Sequence, residues 1–289
     1  MVTVGKLFDR TAVLFIGIAV GATIATAFAQ GGERSSTVKH SVPKPVAVAA
    51  AKACPTAVQL TPHLLRSIRS GKNIDIGVFG DSFGDGIGAG LYNDLRSNPD
   101  FQVHRFAKQS TGFTRYRSLN LLDDAQAKIA GQPLDIAVIN FGANDTQDIY
   151  DEGHLMPYMS ADWQRVIGQR VRAYVDLFRS RGVSVVWVGL PRMREPEFDE
   201  QIQQMNRYYA DLMCELQVPF IDTLPKSVDG QGAYTDYLKP VSGGEPIKAR
   251  EHDGIHMTMT GYRILVADMT NNIRQFDPPP ADGAGAVLR

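Results

Sequence analysis

A serine set among glycines, and a histidine three residues after an aspartate, are the most suggestive reactive groups in this chain. Ser82 lies in Gly80-Asp81-Ser82-Phe83-Gly84-Asp85-Gly86, and glycines continue at Gly88 and Gly90. A serine on a sharp strand-to-helix turn keeps its hydroxyl exposed and its own N–H pointing outward, which suits a nucleophile with an oxyanion donor beside it. The plainer reading is that Asp81-Ser82 caps a helix. His256 follows Asp253 just before a helix start. At that spacing one turn presents both side chains, so the aspartate accepts from one ring nitrogen and the other nitrogen faces Ser82. Acyl transfer at a serine needs such a base, a group that orients it, and donors for the tetrahedral oxyanion. Gly112, through its backbone N–H, and Asn144, through its side-chain amide, are the candidate donors. A turn glycine and a capping asparagine are their ordinary roles. His252 competes with His256 but lacks an aspartate at the same spacing, and His40, His63, His104 and His154 have no comparable setting. Asp85, Asp145, Tyr234 and Tyr237 are candidate substrate contacts. The two tyrosines belong to a long segment, about 223–252, without clear periodicity, and a loop of that length in a compact domain is usually functional.

The elements that must position these residues alternate. Ile74 to Phe79 is a short apolar run rich in β-branched residues, as a buried strand should be. Ile87, Leu91 and Leu95 then recur at a spacing of four and begin a helix. Phe101 to Ala107 partly alternates, as a sheet-edge strand does. Leu134 to Phe141 and Val183 to Leu190 are strongly apolar strands, and Phe220 to Asp222 is a short last one. Between them, Leu121, Leu122, Ala125 and Ile129 mark one helix. Trp163, Val166, Ile167, Tyr174 and Phe178 mark a second, with Ser160 as its N-cap. Phe198, Ile202, Met205, Tyr209 and Leu212 mark a third, and Tyr262, Ile264, Leu265 and Met269 the last. Strands alternating with helices give a parallel sheet covered on both faces: an α/β fold with about five parallel strands in one doubly wound domain. If the order is 2-1-3-4-5, the loops carrying Ser82 and Asn144 open side by side at the switch point.

The chain has 289 residues and a formal net charge of -1, which argues against nucleic acid as the main partner because phosphate binding needs a basic patch. Residues 1–29 hold Lys6, Arg10, an apolar run and Ala27-Phe28-Ala29, the pattern of a secretory signal peptide. The run is also long enough for an uncleaved anchor, in which case the membrane is a partner through this segment alone. Either way the domain is expected on the outer side of a membrane, periplasmic or secreted. Residues 30–53 read as a flexible linker, 54–276 as the folded domain, and 277–289 as a disordered tail. Cys54 and Cys214 form either a disulfide or two separate buried thiols. Neither has a second ligand at metal-binding spacing.

Taken together, Gly80-Asp81-Ser82, Gly112, Gly142-Ala143-Asn144-Asp145 and Asp253-Gly254-Ile255-His256 resemble the four blocks of the SGNH (GDSL-like) hydrolases, in the family's order. The tyrosine-containing loop, with Gly-Ala-Tyr-Thr before Asp-Gly-Ile-His, is most similar to the exported bacterial DUF459 subgroup. The resemblance implies a three-layer α/β/α, flavodoxin-like domain and an enzyme acting on ester bonds. It implies Ser82 as nucleophile, His256 as base and Asp253 as its partner. It also implies an oxyanion hole from Ser82 N–H, Gly112 N–H and Asn144, with no metal or cofactor. One departure is Phe83, where the family usually has leucine. The reading that follows is an esterase acting on acylated carbohydrate or another ester. An O-acyltransferase with the same serine and a non-catalytic glycan-binding domain are the alternatives. Nucleotide binding is weak, because the glycine run lacks a strict phosphate-loop pattern.

Overall fold

The computed structural model describes residues 53–151 and 153–276. The N-terminal apolar run, nearly all of the expected linker and the expected tail lie outside these residues. In chain order the elements are α1 (Pro62–Arg69), β1 (Ile74–Gly80), α2 (Ser82–Leu95), β2 (Phe101–Arg105), α3 (Leu121–Lys128) and β3 (Ile136–Asn140). A hairpin of β4 (Ile149–Asp151) and β5 (His154–Met156) follows, then α4 (Ala161–Arg179), β6 (Ser184–Val188), α5 (Pro196–Glu215) and β7 (Phe220–Ile221). A second hairpin, β8 (Tyr237–Leu238) and β9 (Ile247–Lys248), precedes α6 (Met259–Arg274).

The main sheet has five strands in the order β2-β1-β3-β6-β7, every pair parallel. This is the doubly wound, flavodoxin-like order, with helices on both faces. β1, β3 and β6 are buried along their whole length, which is why they read as continuous apolar runs. Successive side chains point to opposite faces, so the same strands feed two cores. Ile76, Val78, Ile136, Val138, Val186 and Val188 pack with α2 and α6 on one side. Phe79, Ala137, Ile139 and Trp187 pack with Trp163, Ile167, Phe178 and Tyr209 on the other.

The glycine run of α2 is a helix-packing surface. A β-carbon at Gly86 would lie 2.1 Å from Cζ of Tyr262 on α6, and one at Gly90 would lie 3.5 Å from the Arg263 backbone nitrogen. The first and last large helices therefore meet with little between them. Gly80 closes β1 where a β-carbon would fall 2.2 Å from the Asn140 carbonyl oxygen, so the strand can turn into α2 only with glycine there.

Two features were not visible in the sequence pattern. The β4–β5 hairpin is too short to show a period. The 223–252 segment is not featureless: it holds a helical turn at Leu224–Lys226 and the β8–β9 hairpin. Among the described residues, no helix is long and apolar enough to cross a membrane.

Cys54 and Cys214 are bonded, tying the start of the described chain to the last turn of α5 across a sequence separation of 160. Closing so long a loop restricts the unfolded chain, an effect typically worth roughly 2–4 kcal/mol. Cys214→Ser is expected to lower the unfolding free energy by about that amount under non-reducing conditions, read as a fall in the denaturant midpoint. An unchanged midpoint would contradict it.

Candidate active site

Three elements of the carboxyl edge converge on Ser82. The residue opens α2, where the first N–H groups of a helix have no intrahelical acceptor. Asp81, the N-cap, accepts from Phe83 N–H at 2.9 Å and fixes the turn. Across from it, the loop after β9 brings in His256. Its Nε2 lies 2.8 Å from Ser82 Oγ, and its Nδ1 lies 2.6 Å from Asp253 Oδ2. With Nδ1 carrying its proton toward the aspartate, Nε2 is free to accept the serine proton.

The Asp253–His256 turn is locally determined. Asp253 Oδ1 accepts from the N–H groups of Ile255 and His256 at 2.8 and 2.9 Å. Gly254 sits at φ +72, and a β-carbon there would meet the Arg194 side chain at 2.6 Å. Burial works against ionisation of Asp253, but the bonds from His256 and the two backbone N–H groups outweigh it and hold the carboxyl below its usual range. The imidazole stacks on Phe83, with ring centroids 5.2 Å apart, and Phe83 in turn meets Tyr262 edge-on. The aromatic ring at this position is thus a platform for the His256 imidazole.

The third element is the paired loops after β2 and β3. Gly112 is buried, and a β-carbon on it would fall 2.4 Å from Asp145 Oδ1, so no larger residue fits. Among the described residues no hydrogen bond engages the Gly112 N–H. Asn144 donates from Nδ2 to Asp81 Oδ2 at 3.2 Å and to the Thr111 carbonyl at 3.1 Å. Both amide hydrogens are therefore committed, and Asn144 becomes a third oxyanion donor only by sharing one of them.

Beneath this rim lie two carboxylates. Asp81 is fully buried, and its pKa is pushed up to about 7, chiefly by burial. The Phe83 N–H opposes that rise, and the nearby Asp145 charge adds to it. Asp145 is also fully buried and raised by burial, partly offset by the N–H and hydroxyl of Thr114, each 2.7 Å from Oδ1.

The other candidates fall into place differently. Asp145 is fully buried against the Gly112 loop and presents no exposed surface for the substrate contact that its sequence position suggests. Tyr234 does not present a free face: the guanidiniums of Arg194 and Arg250 lie 5.5 and 5.1 Å from its ring centre, and its hydroxyl donates to Asp236. Asp85 is drawn sideways into an ion pair with Arg105. Tyr237 alone of the four is an unburdened aromatic, 56 % exposed. His252 contributes its carbonyl to Arg194. His63 and His104 pair with Asp135 and Asp75, near the amino ends of the strands. Nothing in the sequence pattern marks the central place of Asp81 or the buried Arg250 behind the Asp253–His256 turn. A capping aspartate and a loop arginine look ordinary in sequence. Among the described residues, no cluster of three or more His, Cys, Asp or Glu side chains could hold a metal ion.

A flavodoxin-like sheet whose carboxyl edge unites Ser82, Gly112, Asn144 and His256, with Asp253 behind the imidazole, has the make-up of an SGNH (GDSL-like) hydrolase. The chain belongs to the DUF459 family, whose model, described as "Protein of unknown function (DUF459)", matches residues 75–272. No curated protein matches it. Solved structures similar to it include an acetylxylan esterase from Geobacillus stearothermophilus, at 16% identity over 71% of this chain and 96% of that one, with a TM-score of 0.49. Another is the periplasmic domain of a lipopolysaccharide acetyltransferase from Salmonella ser. Paratyphi A, at 13% identity over 76% and 90%, with a TM-score of 0.49. A member of the lipolytic protein G-D-S-L family from Veillonella parvula matches at 12% identity over 68% and 97%, with a TM-score of 0.48.

The buried Asp81 makes a pH prediction. Its folded pKa of about 7 lies above the ordinary value of 3.8, so the native state keeps a proton that the unfolded chain has released. This contribution to stability is full below pH 3.8 and is lost as pH rises toward about 7. Asp81→Asn removes that loss, so its melting temperature relative to wild type should rise between pH 5 and pH 8. A difference independent of pH across calorimetric scans would contradict it.

Proposed function

We propose that this protein is an exported serine esterase that removes small, acetyl-type acyl groups from carbohydrate of the cell envelope or its surroundings. The observation that carries the reading is the continuous relay from Asp253 through His256 to Ser82, with contacts of 2.6 and 2.8 Å. As Ser82 Oγ attacks the ester carbonyl carbon, its proton passes to His256 Nε2. Asp253 holds the opposite N–H and stabilises the imidazolium. The oxyanion meets the N–H groups of Ser82 and Gly112, joined by Asn144 as it loosens its hold on Asp81 or Thr111. Collapse expels the alcohol, which takes the proton from His256 and leaves an acyl-serine. Water then attacks by the same route and releases the acid.

Export is supported by the N-terminal apolar segment and by the Cys54–Cys214 bond, since disulfides persist in oxidising compartments. A carbohydrate substrate is supported by Tyr237. It lines a groove of about 720 Å³ whose floor is largely apolar, with Val228, Leu238 and Val241, and whose polar members include Asp229 and Lys239. Ser82 and His256 lie outside it, but Asp236 next to Tyr237 bonds Arg194, which packs against Gly254. An exposed ring flanked by polar groups suits the apolar face and hydroxyl rim of a sugar.

A fluorophosphonate probe is expected to label Ser82 in wild type and not in His256→Ala, read by mass spectrometry of the folded protein. Absence of an adduct on wild type would overturn the reading. In hydrolysis of a short-chain aryl ester, Asn144→Ala should lower kcat by about 10²–10³ with little change in KM. Tyr237→Ala should raise KM for an acetylated oligosaccharide while leaving aryl-ester hydrolysis unchanged. Equal effects on both substrates would remove the sugar-binding role.

A further inference from the structure

Arg250 is fully buried, and among the described residues no carboxylate lies within 4 Å of it. A buried charge without an acid is expensive unless its donors are all used. Here they are spread over three loops. Nη1 donates to the carbonyl of Ile255 at 3.2 Å. Nη2 donates to the carbonyl of Arg192 in the loop after β6, and to that of Ser227 at 3.4 Å. The Tyr234 ring lies against the guanidinium, whose Nε has no partner. Burial lowers its pKa to about 10, which still leaves it charged at neutral pH.

The Ile255 carbonyl belongs to the same peptide unit as the His256 N–H, and that N–H donates to Asp253 Oδ1 at 2.9 Å. The peptide plane is thus held at one end by Arg250 and at the other by the aspartate that orients the imidazole. The neighbouring backbone reinforces this arrangement: Arg250 bridges Met257, and Glu251 N–H donates to the His256 carbonyl at 2.9 Å. Without the guanidinium, the plane loses that anchor in a turn where Asp253 is exposed and Ile255 and His256 are only half-buried, and its rotation would carry the ring away from Ser82.

We infer that Arg250 is a positioning residue for His256, holding the Asp253–His256 turn in register with Ser82 through the Ile255 carbonyl. This rests on the serine-esterase reading. Two different nitrogens serve Ile255 and the other two loops, so a lysine, with all its donors on one atom, cannot span them.

The test is a double-mutant cycle on aryl-ester hydrolysis with Arg250→Lys and Asp253→Asn, using the folded domain with its disulfide intact. Arg250→Lys is expected to lower kcat by about 100-fold at unchanged KM, the scale of a small misplacement of a reacting group. Combined with Asp253→Asn it should cost little more than Asp253→Asn alone, whereas with Asn144→Ala the two losses should multiply. Arg250→Gln, read by the same cycle, serves if the lysine variant does not fold. Unchanged kcat in a folded variant, full multiplicativity with Asp253→Asn, or loss of folding in both variants would overturn the inference, leaving Arg250 a role in the fold alone. Fluorophosphonate labelling of wild type separately reports whether the esterase reading itself holds.

Discussion

The structure depends on the close approach of α2 and α6. These helices lie at opposite ends of the domain sequence, yet their N-terminal turns must meet for a hydroxyl and an imidazole 174 residues apart to form one hydrogen bond. A β-carbon at Gly86 would collide with Tyr262, so the glycines there set the interhelical distance. Phe83 completes the contact by filling the space between Tyr262 and the His256 ring. The same packing that buries α2 against α6 also aligns the His256 imidazole with the Ser82 hydroxyl.

Around that contact the molecule keeps ionisable groups in its interior, each held by backbone, amide or hydroxyl partners. Asp81 caps α2 and anchors Asn144; Asp145 binds Thr114 and fills the space that a side chain on Gly112 would need. Arg250 gathers three carbonyls on the opposite side of the catalytic turn. Such groups are costly to bury and leave few alternative arrangements that satisfy them.

The strands and large helices were legible because burial on both faces leaves continuous apolar runs in β1, β3 and β6, and because Trp163, Ile167 and Phe178 repeat with helical spacing. The β4–β5 and β8–β9 hairpins were not legible, since two or three residues per strand are too few to set a period. Among site residues, Ser82, Asp253 and His256 carry a local signature: a glycine-bounded turn and an i, i+3 acid. Asp145 and Tyr234 carry none that separates a substrate contact from a buried support. Only their surroundings tell the two apart: a fully enclosed carboxylate in one case, two guanidiniums against the ring in the other.

By itself the sequence determined the five strands of the main sheet and the large helices, the turn that presents Ser82, and the turn that sets Asp253 beside His256, because all of these are short-range matters of periodicity, glycine and spacing. The tertiary structure alone decided that Asn144 spends both amide hydrogens on Asp81 and Thr111, that burial pushes the Asp81 carboxyl up to about 7, and that a buried arginine reaches the Ile255–His256 peptide. Desolvation and hydrogen-bond competition depend on what the fold brings from elsewhere in the chain, and no local pattern of residue types encodes them.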